Sequence, residues 1–138
     1  MPLTEKLELL ASDLALLPDA QERLAAIVDR ARRQAPLPAA DRSDARRVAG
    51  CVSVVWLVGE LRSGRCYFRS DAESPLVRGL VAFVCEFFTG ATPAEILAQD
   101  LDPLEAVGIA RHLSPTRKNG LAAVRTAISA FARDAGSA

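Results

Sequence analysis

Apolar and polar positions change their period twice along this chain. From Leu7 to Leu17 apolar residues crowd at helical spacing, with Thr4 placed to cap the start and Pro18 marking the end. A second helical pattern covers about Asp19 to Gln34. Ala20, Leu24, Ile27, Val28 and Ala31 share one face, and Glu22, Arg23, Asp29, Arg30 and Arg33 fill the rest of the wheel. From Ala35 to Arg47 the period disappears among Pro36, Pro38, Asp41, Ser43 and Asp44, which predicts a loop leading into a sheet. Val52, Val54, Val55, Trp56, Leu57 and Val58 then form a β-branched and aromatic run. The polar tetrad Arg62-Ser63-Gly64-Arg65 predicts a hairpin turn into Cys66-Tyr67-Phe68. A short strand before Cys51 would make the sheet antiparallel with about three strands.

Beyond the hairpin the helical period returns, punctuated by four similar starts. Ser74-Pro75, Thr92-Pro93, Asp102-Pro103 and Ser114-Pro115 each set a capping side chain before a proline at the first helical position. Thr92 with Glu95 and Asp102 with Glu105 also have capping-box spacing. The helix from Pro75 to Phe88 should stop at Gly90. The last should run from Pro115 to about Arg133, burying Leu121, Val124, Ile128 and Phe131, with fraying over Gly136-Ser137-Ala138. The expected class is α+β: one domain over 1–138, a small antiparallel sheet packed against several helices.

Charge and composition narrow the partners. The 17 basic residues balance 17 acidic ones, which argues against a general polyanion binder and so against nucleic acid. No apolar run approaches the ~20 residues of a membrane span, and the longest, Leu80 to Cys85, is cut by Glu86. The N-terminal stretch, with Glu5, Glu8 and Asp13, lacks a signal-peptide layout, so a cytoplasmic location is expected. Three cysteines without a CxxC pair suggest reduced thiols rather than a disulfide framework.

Among those thiols Cys51 has the most suggestive surroundings. It follows a glycine at a loop-to-strand junction, with Arg46 and Arg47 just upstream. A glycine there lets a backbone or a reacting sulfur approach closely, and a working thiolate needs polarity or positive charge nearby. A small apolar plug in a Val-rich core is the competing reading. Cys66 opens a strand and Cys85 lies in an apolar helix, so both suit packing. A zinc site built from the cysteines and His112, the only histidine, would need ligands that converge through the fold. Arg117 and Lys118 fall in the first turn of the last helix, where the helix dipole disfavours cations. That placement suits either a solvated helix start or a functional arginine.

Three blocks carry a family resemblance: "RVAGCVSVVW" (47–56), "SDAESPLVRGLVA" (70–82) and "RHLSPTRKNGL" (111–121). With the order of elements and the chain length, they make the sequence similar to the SufE-type cysteine desulfuration proteins. The resemblance implies a fold shared with IscU-type cluster scaffolds and a function as sulfur acceptor. Cys51 matches the acceptor cysteine, which takes persulfide sulfur from a pyridoxal-phosphate-dependent, SufS-like cysteine desulfurase, stimulates it, and delivers the sulfur to a SufBCD-like iron–sulfur scaffold. Arg117 matches an arginine near the acceptor, expected to orient the sulfur anion or assist docking. The resemblance implies no metal and no cofactor on this chain, since the pyridoxal phosphate belongs to the desulfurase; a homodimer is left open. Val52 and Val54 depart from the family, many members of which carry glutamines there. Two alternatives stay open: an iron–sulfur or zinc scaffold using Cys51, Cys66, Cys85 and His112, and a non-catalytic desulfurase adaptor in which Cys51 is structural.

Overall fold

The computed structural model describes residues 2–136. Helix α1 spans Leu3–Ala15 and α2 spans Ala20–Arg32. The first starts four residues before the expected Leu7, so Thr4 lies inside it and Pro2 takes the capping position, without a side-chain cap. Asp19 caps α2 by accepting from the Gln21 amide at 3.0 Å. The segment between α2 and the sheet is a loop, as its prolines require, and carries short 3₁₀ turns at Ala39–Asp41 and Asp44–Arg46.

The sheet has two strands, β1 (Val55–Arg62) and β2 (Arg65–Ala72), paired antiparallel from Val55–Ala72 to Arg62–Arg65. The connecting turn is only Ser63-Gly64, both at positive φ (51° and 77°), the backbone whose twist matches a tight hairpin. The expected third strand is reduced to one bridge between Arg47 and Trp56, with the Val48 amide donating to the Val55 carbonyl at 2.9 Å. Pairing stops there because Gly50 turns at φ 89° and takes the chain off the sheet. For the same reason Val52 and Val54 lie in a loop, and β1 begins at Val55. The far edge of β2 is covered instead by 89–91. The Cys66 amide donates to the Ala91 carbonyl, the Gly90 amide to the Cys66 carbonyl, and the Phe68 amide to Thr89 Oγ1.

Helix α3 (Pro75–Phe88) is the core, with Leu80, Val81, Val84 and Phe87 almost wholly buried between the sheet and α2. Gly79 permits the α2 contact, because a Cβ there would sit 2.9 Å from Val28. Two short helices, α4 (Pro93–Ala98) and α5 (Pro103–Ala106), lead to α6 (Pro115–Gly136). Each start expected from a capping residue before proline is realised. Ser74, Thr92 and Asp102 accept the Val77, Glu95 and Leu104 amides, and Ser114 accepts that of Arg117. Leu121, Val124 and Ile128 are buried on α6, whereas Phe131 is partly exposed and stacks edge-on to Phe68 at 5.4 Å, over Gly59. The helix continues past Arg133 to Gly136; of the segment expected to fray, Ser137 and Ala138 lie outside the described residues.

Asp71 is 6% exposed and ties three elements together. Its carboxylate accepts the Leu37 amide at 3.2 Å and pairs with Arg78 Nε of α3 at 3.2 Å, while Arg78 also donates to the Gln34 carbonyl. The segment leading toward Cys51 is therefore anchored to both β2 and α3.

Candidate functional site at the Cys51 loop

The chain leaves its bridge to β1 at Val48, turns at Gly50 and presents Cys51-Val52-Ser53 on a short loop before rejoining the sheet at Val55. Glycine is required at 50 on two counts. Its φ of 89° lies in the left-handed region, and an added Cβ would come within 3.3 Å of Ala123 Cβ on α6. Val52 is 80% exposed at the tip of the loop, an unusual position for a large apolar side chain.

Cys51 is half-buried and faces α6, where its thiol donates to the Gly120 carbonyl oxygen at 3.3 Å. The approach does not depend on glycine at 120, since a Cβ there would stand 3.7 Å from the sulfur, an ordinary contact distance. A small cleft of about 40 Å³ adjoins the sulfur, walled by Val55, Val77, Leu80 and Leu121 and rimmed by Thr116 and Arg117. By the usual measure that is room for one or two water-sized groups. Burial raises the Cys51 pKa, and a carbonyl oxygen is a partner for the thiol and not for the thiolate. The polarity expected to activate the sulfur is thus not effective in this arrangement. Arg46 and Arg47 are exposed at the base of the loop, and burial is what shifts the titration.

The site therefore brings together Cys51 and Arg117, the two residues singled out from the sequence. It does not bring in the other candidates. Cys66 is fully buried on β2, with burial pushing its thiol up as well. Cys85 is buried in α3, where burial outweighs a hydrogen bond with Ser70 and pushes its thiol up to about 12. His112 is exposed in the 3₁₀ turn Ala110–His112. Among the described residues no three of His, Cys, Asp and Glu converge as metal ligands, so these four residues do not form one ligand set. The contact the sequence reading missed is the one between the Cys51 thiol and the backbone carbonyl of residue 120, which any side chain at that position would leave in place.

Over residues 8–132 the chain matches the family model SufE: Fe-S metabolism associated domain. A SufE-like protein of Rhizobium meliloti (strain 1021) is 32% identical over 120 residues, covering 83% of this chain and 86% of the relative. A SufE-like protein of Synechocystis sp. (strain ATCC 27184 / PCC 6803 / Kazusa) is 32% identical over 102 residues, 74% of this chain but only 64% of the relative. The chloroplastic quinolinate synthase of Oryza sativa subsp. japonica is 39% identical over 106 residues, which amount to 15% of that protein. The solution structure of a hypothetical protein from Thermus thermophilus superposes with a TM-score of 0.76 at 22% identity, over 100% of this chain and 99% of the other, and bears out the fold. No helix among the described residues is long and apolar enough to cross a membrane. Matched by the family model over nearly its whole length, the chain belongs to the SufE family, which is associated with iron–sulfur metabolism.

Proposed function

We propose that this protein is a sulfur carrier: Cys51 accepts sulfur from the persulfide of a cysteine desulfurase and passes it to an iron–sulfur cluster assembly scaffold. The observation that carries the reading is the setting of Cys51. It is the one cysteine among the described residues that is not buried, it sits on a loop, and it has a cleft and an arginine beside it. Family membership supports the metabolic context.

The chemistry is thiol exchange. Cys51 loses its proton and its thiolate attacks the outer sulfur of the donor's persulfide. The Cys51 S–S bond forms as the donor's S–S bond breaks, and the bonding pair leaves on the donor sulfur, which takes up a proton. The products are a Cys51 persulfide and a donor thiol, with no external oxidant or reductant. Because the held form is the thiol, the loop must first release Cys51 from Gly120. The pivot at Gly50 and the exposed Val52 side chain suit a partner that grips the loop and draws it outward. Arg117 then offers a guanidinium to the anionic sulfur as it transfers.

The competing adaptor role makes a different forecast for desulfurase turnover. With Cys51→Ser, the carrier reading predicts that stimulation of sulfide release is lost; full stimulation by the variant would favour an adaptor in which Cys51 is structural.

A further inference from the structure

A second, larger hollow lies on the other side of the α6 start. It holds about 700 Å³ and is lined in part by Arg111, Leu113, Lys118, Asn119 and Arg125. Leu121 lines both this groove and the Cys51 cleft, so the two are neighbours across one side chain. Its size is that of a ligand or short-segment site.

The charge around it is one-sided. From Ala106 to Arg133 the sequence contains no Asp or Glu, whereas Arg111, Arg117, Lys118, Arg125 and Arg133 all fall there. The protein is neutral overall, so this bias is local. The groove does include two acids. Asp102 is committed to Arg125, Oδ2 to Nη1 at 2.9 Å, and Glu105 is exposed on the rim. Arg111, Arg117 and Lys118 have no ion-pair partner among the described residues and are exposed. Two of them stand in the first turn of α6, against the helix dipole, where folding gains nothing from a cation.

We infer that this groove is the docking site for an acidic segment of the sulfur-donor protein, seating that protein with its persulfide over Cys51. The inference rests on the sulfur-carrier reading for the identity of the partner. Unpaired cations steer an acidic partner by long-range attraction, and the groove beside the cleft converts that encounter into one orientation. Arg111 and Lys118 act in docking only, since neither lines the Cys51 cleft.

Stopped-flow association with the purified cysteine desulfurase of the same organism tests this. The charge-reversed variant Arg111→Glu/Lys118→Glu should associate about tenfold or more slowly than wild type at low salt, and the two should converge at high salt, where screening removes the attraction. The neutral variant Arg111→Gln/Lys118→Gln should fall between them. Arg32→Glu/Arg42→Glu changes net charge equally at two exposed arginines outside the groove and should stay close to wild type. Equal slowing by both reversals, or wild-type association that is absent or indifferent to salt, would overturn the docking site. Peptide mass analysis of Cys51 in the same mixtures separates the two readings. Sulfur on Cys51 with unaffected docking in the reversed variant sinks the groove and not the carrier function. Salt-sensitive docking without sulfur on Cys51 sinks the carrier function and leaves the groove standing.

Discussion

The Cys51 thiol donates to the Gly120 carbonyl across 3.3 Å, so the loop is fastened to α6 through the very group that would react. Deprotonation removes the donor and leaves a thiolate facing a carbonyl oxygen. Holding the loop in and activating the sulfur are therefore opposed.

Alkylation with iodoacetamide should report that opposition. A raised pKa leaves less thiolate at every pH below it, so Cys51 should label more slowly than free cysteine at pH 8. Its rate should climb through a midpoint above the ordinary value of 9.0. Adding the desulfurase should speed labelling. A midpoint at or below the free-thiol value, or no acceleration by the partner, would contradict the held-thiol arrangement.

Arg117 is exposed and lies on the rim of the cleft, so replacing it should spare the fold and affect transfer. A hydrogen bond to a charged group contributes roughly 1.5–3 kcal/mol, which corresponds to about tenfold or more in rate. Single-turnover sulfur transfer should slow by at least that factor in Arg117→Ala and recover in part in Arg117→Lys. An unchanged transfer rate in the alanine variant would remove Arg117 from the reaction.

Gly50 and Gly64 both sit at positive φ, but only Gly50 has a neighbour where its Cβ would go. Gly64→Ala should cost about 1 kcal/mol from backbone strain alone. Gly50→Ala should cost more, up to about 3 kcal/mol, because the loop must also shift from Ala123. Urea denaturation of the two variants checks the order, and equal costs would mean that the contact with α6 is not tight.

Asp71 joins β2, α3 and the segment before the loop, and its partner Arg78 is itself largely covered. Asp71→Ala leaves the Leu37 amide without its acceptor and takes the carboxylate from Arg78, which keeps only the Gln34 carbonyl, and should destabilise the protein by about 2 kcal/mol. Hydrogen exchange should show the Leu37 amide losing its protection first. Protection at Leu37 equal to wild type would mean that the segment is anchored some other way.

The sequence was clearest where local chemistry decides structure. Capping residues before prolines located α3, α4, α5 and α6 because a cap and a fixed φ act within one turn. The hairpin was legible for the same reason, although its turn is two residues and not four. The short strand expected before Cys51 was not legible as a single bridge, because the sequence does not show that Gly50 turns the chain off the sheet or that Cys51 is then held by α6, some seventy residues later. Apolar side chains at 52 and 54 suggested a strand, and only the packed fold shows Val52 turned to solvent. In the site, the motifs identified Cys51 and Arg117, while the contact at residue 120 gave no sign, since it is made by a backbone carbonyl.

The central claim is that Cys51 carries sulfur, and the mass of the protein tests it most directly. After incubation with the desulfurase and cysteine, followed by alkylation without reduction, the peptide containing Cys51 should carry one additional sulfur atom. The peptides containing Cys66 and Cys85 should carry none, because both thiols are buried. No added sulfur on Cys51 while the desulfurase turns over, or the same adduct appearing on Cys51→Ser protein, would contradict the account.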